Sequence, residues 1–335
     1  MELKKIMEEQ KCYICGNKAE TIFGNLPGYV EGLFYDIYKC NVCDTNFINH
    51  DKINSGVYEL IYSKQNIAGY ERYFNFAKEV KQRKYPLEYM ALSESTYFPI
   101  YEYLKNKEKL DILEIGCGYG YLTYSIHALG HNITGIDLSK NAIEYAKKNF
   151  GEFYINSSFE DFVKTNNKKY DLIISTEVIE HVINPLDFVT NSINLLKQNG
   201  KLLLTTPNKN FASKNSVWYS DLPPIHLFWF SIKSFNWIAN SANLNCELFR
   251  YNKYYPKNEN RFVRYFRYKK DPIPMSVLTK DGELSQYYVP LRYSFSRGII
   301  KYFIHKFPPI NYVSNYFYNL FIEKDITLSV FFSKK

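Results

Sequence analysis

Leu110-Asp-Ile-Leu-Glu-Ile-Gly-Cys-Gly-Tyr-Gly-Tyr-Leu122 is the stretch from which the fold of this chain is read. The run Leu110 to Ile115 has the length and composition of a buried strand. It leads directly into a glycine turn at Gly116, Gly118 and Gly120, and helical spacing takes over from Tyr121. Glycines let a backbone approach a ligand closely, and the first N–H groups of the following helix point at that ligand. A dinucleotide fingerprint requires G-x-G-x-x-G, whereas this turn is G-x-G-x-G with Glu114 two residues ahead of it. A carboxylate repels a pyrophosphate at its side and attracts a ligand carrying an ammonium or sulfonium charge. The next run, from His131, ends in Asp137, 23 residues beyond Glu114. At the C-terminal edge of a neighbouring parallel strand, such a carboxylate can accept both ribose hydroxyls of an adenosine.

Outward from this unit the pattern repeats. Ser139 is placed to cap a helix over Asn141–Asn149, and Phe153-Tyr-Ile reads as a third strand. Asp171–Ser175 and Gly200–Asn208 read as the fourth and fifth strands, with a helix from Asn184-Pro185 through Leu196 between them. A helix over Ile232–Ala242 and a sixth strand over Cys246–Tyr251 follow, and Asp325-Ile-Thr-Leu-Ser-Val-Phe-Phe332 closes the sheet as an antiparallel seventh. Strands alternating with helices describe a doubly wound α/β fold, with ligands at the carboxyl ends of the strands. Just past the fourth strand stand Glu177, Glu180 and His181. Their i, i+3, i+4 spacing puts all three on one face of a helical turn. His226, in the aromatic loop Asp221–Ser231 after the fifth strand, lies on the same edge. Two roles stay open for this group. It suits a divalent ion, Mg2+ or a similar one, with open positions for substrate oxygens; alternatively His226 is a general base without metal and His181 and Glu180 are structural.

Taken together these motifs resemble class I S-adenosylmethionine (SAM) dependent methyltransferases. The resemblance covers about Tyr103 to Lys253 and, more loosely, Asp325 to Phe332. It implies a Rossmann-like seven-stranded core with SAM as cofactor. Glu114 would face the amino acid end of SAM, and Gly116, Cys117, Gly118 and Gly120 would form its cradle. Asp137 and Leu138 would lie at the adenosine, with Phe159 and Glu160 in a loop bracketing the base and Thr176 beside the cofactor. The E-x-x-E-H pattern followed by a histidine is similar to two branches, the ubiquinone-biosynthesis O-methyltransferases and the small-RNA 3′-terminal 2′-O-methyltransferases. In the second branch such residues bind an ion. His226, His181, Glu177 and Glu180 are therefore the candidate catalytic residues. An N-P-P-[YF] tetrad, which holds a nitrogen acceptor in many N-methylating relatives, is replaced by Ser175-Thr-Glu-Val, so an oxygen acceptor is expected.

The flanks add two regions. Cys12-x-x-Cys15 and Cys40-x-x-Cys43 are separated by 24 residues. Two such knuckles complete a closed, all-thiolate zinc site of structural type. Ser55–Lys107 reads as helical, with Tyr58, Tyr62, Tyr70 and Tyr73 at helical separations and breaks at Tyr85-Pro86 and Phe98-Pro99. Lys253–Glu323 is an insert rich in Tyr, Phe, Lys and Arg; its run Arg261–Lys270 suits a phosphorylated or carbohydrate acceptor, or RNA. The expected organisation is a zinc module (1–54), a helical cap (55–107), the SAM-binding core (108–253), a substrate-side insert (254–323) and the closing strand (324–335). A four-cysteine module ahead of such a domain also resembles sugar C- and O-methyltransferases of deoxysugar and surface-glycan pathways. The expected reaction is O-methylation of a small polar acceptor such as a sugar, nucleotide-sugar or surface-glycan precursor. RNA is the alternative acceptor, and a non-catalytic SAM-binding protein is disfavoured by the intact acids and glycine turn.

Composition sets outer limits. Hydrophobic content of 46% with 23% charged residues is that of a globular chain. The charged N-terminus is not a signal peptide, and no run reaches the ~18 apolar residues of a membrane span, so a cytoplasmic protein without a transmembrane segment is expected. The net charge of +8 permits acidic partners, including peripheral contact with an anionic membrane face, and names none of them.

Overall fold

A computed structural model describes residues 10–50, 71–211, 217, 221–256, 261, 275–285, 308–321 and 325–335. The N-terminal strands β1 (Gln10–Lys11), β2 (Lys18–Pro27), β3 (Phe34–Cys40) and β4 (Asn46–Ile48) form an antiparallel meander. Helices α1 (Glu71–Glu79), α2 (Pro86–Ser93) and α3 (Phe98–Leu104) follow. Proline in the first turn of α2 and α3 forfeits only an N–H that has no helical partner, so the two expected breaks are helix starts. Tyr73 lies on α1, its ring 6.4 Å from that of Tyr121; Tyr58, Tyr62 and Tyr70 fall outside the described residues.

The larger sheet contains β5 (Asp111–Ile115), β6 (Asn132–Asp137), β7 (Tyr154–Asn156), β8 (Tyr170–Thr176), β9 (Leu196–Pro207), β11 (Leu244–Leu248) and β12 (Thr327–Lys334). Its order is β11-β12-β9-β8-β5-β6-β7. The strands β5 to β9 pair in parallel, while β12 is antiparallel to both β9 and β11. The strand expected to close the sheet thus lies inside it, with the sixth strand at the edge and shifted toward its start. Register explains the stability of the centre. Leu113, Ile173, Leu202 and Phe332 sit side by side across four strands and are buried on one face. Ile174, Leu203 and Phe331 do the same on the other. Parallel strands need both faces covered, and each such side chain contributes about 1.5–3 kcal/mol on burial.

Helices α4 (Tyr121–Ala128), α5 (Lys140–Phe150), α6 (Phe159–Thr165), α7 (Pro185–Asn194), α8 (Ile232–Ser241) and α9 (Pro308–Phe321) accompany the sheet. Ser139 caps α5 as its position predicts, its hydroxyl accepting the Ala142 N–H. Ser158 caps α6 in the same way through Asp161 N–H, so the segment expected as a loop around adenine is a short capped helix.

Two contacts join parts of the chain that are far apart in sequence. The short strand β10 (Phe228–Trp229) pairs antiparallel with β4, Phe228 opposite Phe47 and Trp229 opposite Asn46. The cysteine-bearing sheet therefore runs on into the loop that carries His226. Arg261, expected on the acceptor side of the insert, is 1% exposed. It pairs with the buried Asp325 at 2.7 Å, donates to the carbonyls of Tyr251 and Tyr254, and lies over the Tyr318 ring. It holds the insert to the core. Phe262–Lys270 lie outside the described residues. Among the described residues no helix is long and apolar enough to cross a membrane.

Candidate active site and cysteine centre

The glycine turn is built by the strand next to it. Gly116 and Cys117 N–H both donate to Ile136 O on β6, and Gly118 N–H donates to Asp137 Oδ2 at 2.8 Å. Asp137 Oδ1 accepts the Ser139 N–H, so both oxygens of this acid are oriented by backbone. Gly118 has φ of +50°, and a Cβ there would meet no atom within 4 Å among the described residues. A Cβ at Gly120 would strike Ala146 and Tyr154 at 2.6 Å. The middle glycine thus faces open space while the last closes the turn onto the core. Leu138, 79% exposed, stands beside Asp137 at the same edge.

Glu114 is 2% exposed and accepts the Thr123 hydroxyl from α4. Burial, reinforced by Asp137, raises its carboxyl to about 8. Asp137 is raised as well, by burial. Two acids held ready in one cradle, one of them protonated at neutral pH, match a ligand that brings positive charge and hydroxyl donors. The residues fit SAM on that ground. Phe159 is buried with its ring 5.0 Å from Phe188, in the core rather than on the edge, and Glu160 is exposed on the first turn of α6. Cys117 is buried beneath the turn, and Thr176 ends β8 half-buried.

Past β8 the helical turn inferred from E-x-x-E-H does not form. Glu177 has φ of +55°, in the left-handed region, and residues 177–183 make a turn instead. The carboxylate of Glu177 therefore departs from the others. Burial raises it to about 7, opposed by the charge of Arg72 and reinforced by Asp221 and Glu94. Glu180, His181 and His226 do converge, with ligand atoms within 4.8 Å of one another. His181 Nδ1 lies 2.6 Å from Ile225 O. Facing a carbonyl, Nδ1 must carry the proton, which leaves the lone pair on Nε2, 3.8 Å from Glu180 Oε1. The His226 ring stands edge-on to His181 at 4.8 Å.

Glu180 is 1% exposed, and neither carboxylate oxygen has a hydrogen-bond partner among the described residues. Burial and then Glu177 raise its pKa well above the carboxylate range. Burial lowers both imidazoles, His226 furthest, aided by His181. Burial thus disfavours charge on all three groups, the acid and both imidazoles. That donor set can hold a divalent cation or move a proton.

At the other end of β10 the four cysteines gather, with all ligand atoms within 4.8 Å. Cys12 and Cys43 Sγ are 3.5 Å apart, and Cys15 and Cys40 Sγ 3.3 Å. Each knuckle closes identically: Gly16 N–H donates to Cys12 O and Asp44 N–H to Cys40 O, with Gly16 and Asp44 both left-handed. The Cys12 sulfur beside it lowers the Cys43 thiol below the ordinary thiol range. Four convergent sulfurs, three of them buried, fit tetrahedral zinc.

Thr123, Arg72 and Lys209 were missed by sequence reasoning. Arg72 donates to the Tyr73 hydroxyl at 2.7 Å and stands 3.8 Å from Glu94. None of the three belongs to a spaced motif, and Thr123, Lys209 and the Glu94 partner of Arg72 come together only through the folded chain.

Residues 88–248 match the family model described as a methyltransferase domain. The ubiquinone biosynthesis O-methyltransferase of Rickettsia akari (strain Hartford) is 38% identical over 112 residues, 32% of this chain and 44% of the relative. The enzyme of the same name from Glaesserella parasuis serovar 5 is 37% identical over 107 residues, 29% of this chain and 45% of the relative. The chain spans less than half the length of these relatives. Among solved structures, the plantazolicin methyltransferase BpumL in complex with SAH covers 82% of this chain and 94% of its own, at 16% identity and a TM-score of 0.43. With the strand order, the glycine turn and its two acids, the family match makes residues 88–248 a methyltransferase domain of the class I, SAM-dependent type.

Proposed function

We propose that this protein transfers a methyl group from SAM to a hydroxyl oxygen of a small polar acceptor, a sugar or sugar-linked precursor being the favoured class. The observation that carries the reading is the unpartnered Glu180 carboxyl beside His181 and His226, on the sheet edge that also bears the glycine turn. SAM supplies an electrophilic methyl group, and the protein must align the acceptor and take its proton. Asp137 and the Gly118 turn orient the adenosine, and Glu114 balances the charge at the amino acid end. His226, unprotonated at neutral pH because of its burial, receives the hydroxyl proton. Glu180, His181 and His226 could also hold a divalent ion, whose chemistry would be to orient neighbouring hydroxyls and lower their pKa. A cluster of one acid and two imidazoles suits vicinal hydroxyls, and this supports the sugar class. Cys12, Cys15, Cys40 and Cys43 would hold structural zinc.

The test is transfer of labelled methyl from SAM, by the purified protein, into an extract of the source cell fractionated into RNA, protein and small-molecule or glycan pools. Label in the small-molecule or glycan pool that survives nuclease is expected. Label that vanishes with nuclease would replace the sugar class by RNA, and no label in any pool would remove the transferase reading.

A further inference from the structure

We propose that Lys209 is a positioning residue that ties the cysteine centre to the catalytic edge, so that the metal-binding knuckle sets the placement of His226. The inference rests on the transferase reading for its consequence and on geometry for its substance.

Lys209 follows β9 by two residues, and its side chain is 9% exposed. Its ammonium donates to the Asp44 carbonyl, to Asp44 Oδ1 at 2.9 Å and to Asn46 Oδ1 at 3.1 Å. Three protons thus meet three acceptors, all on the turn and strand immediately following Cys43. A buried ammonium is tolerated only when so satisfied. The acceptors are in place only while the knuckle holds Asp44 in its left-handed turn, its N–H on Cys40 O.

From Lys209 the connection runs to the site without a break. Lys209 N–H donates to Phe230 O at 3.2 Å, one residue past β10. β10 pairs with β4 through Phe228 and Trp229. Leu227 O accepts the Ile48 N–H, and the N–H groups of Leu227 and Phe228 both donate to Glu180 O, at 2.9 and 3.2 Å. Ile225 O holds His181 Nδ1. His226 therefore sits between two residues whose carbonyls are engaged, one by the cysteine module and one by its catalytic neighbour. The module acts as a wall of the active site.

The test uses the zinc-loaded full chain and Lys209→Met, which keeps an apolar stem and removes the ammonium. Zinc content and SAM affinity should stay within about twofold of the parent, since neither set of ligands is touched. Amide exchange at Leu227 and Phe228 should accelerate by about tenfold or more, and the imidazole resonances of His181 and His226 should shift. Methyl transfer at saturating SAM should fall by about tenfold or more while the SAM dissociation constant holds. Parental exchange and resonances in a zinc-loaded Lys209→Met chain overturn the proposal. If that chain does not fold, Asp44→Asn keeps an Oδ1 acceptor and removes the charge that faces Lys209 and, at 3.9 Å, Lys39; faster exchange at Leu227 and Phe228 there, with Lys39→Met as a control that leaves it parental, supports the proposal, and parental exchange in Asp44→Asn overturns it. Exchange and resonances require no acceptor. A parent protein that methylates nothing would therefore remove the proposed function while leaving this coupling to be judged separately.

Discussion

Replacing Glu114 by glutamine should flatten the pH dependence of SAM binding. The Glu114 carboxyl is 2% exposed, hydrogen-bonded to Thr123 and raised to about 8 by burial and by Asp137. At pH 7, one unit below that value, about nine-tenths of the free protein holds this proton. An ammonium at its side favours the ionised form, so binding at pH 7 should release about 0.9 proton from Glu114. Affinity should then rise about tenfold from pH 6 to 7 and about fivefold from pH 7 to 8, and level off above.

The stability linkage has the opposite sign. Between the ordinary value of 4.5 and about 8 the native chain holds a proton that the unfolded chain has lost. The stability contribution of this group therefore falls as pH rises through that window, and SAM reverses the loss. Calorimetric titration at pH 6, 7 and 8 in two buffers of different ionisation enthalpy counts the protons. The α-amino group of SAM titrates near ~8 in both proteins, so the difference between parent and Glu114→Gln isolates Glu114. Equal proton release from both, or an unchanged pH profile in the variant, would refute the assignment of Glu114 to the charged end of the ligand.

Three further outcomes are expected. His226→Ala should lower methyl transfer by about 10²–10⁴-fold while SAM affinity holds, and retention of turnover would remove His226 as the proton acceptor. Arg261→Met leaves the Asp325 carboxylate buried without its cation and should cost about 3–5 kcal/mol in denaturant unfolding; a change confined to acceptor KM would instead place Arg261 in the acceptor site. Cys12→Ser should reduce bound zinc from about one per chain toward zero and lower Tm while sparing SAM affinity, and unaltered metal content would end the zinc assignment.

The sequence by itself determined the parallel core, the glycine turn, the cap at Ser139 and the two cysteine knuckles, because each is a local pattern. Strand length, a glycine with positive φ, a hydroxyl at N-cap and a C-x-x-C turn are set by neighbours within a few residues. It also put Glu180, His181 and His226 on one edge, since strand ends of a doubly wound sheet share a side. Only the tertiary structure decided how these parts meet. The periodicity that grouped Glu177 with Glu180 and His181 presumes a helix, and one left-handed residue at Glu177 is enough to break it. Arg261 reads as a surface cation until Asp325 is brought to it from the far end of the chain. β10 has too few residues to be recognised before β4 pairs with it, and Lys209 finds Asp44 165 residues away. Burial and long-range pairing decide these roles, and neither leaves a periodic trace in the chain.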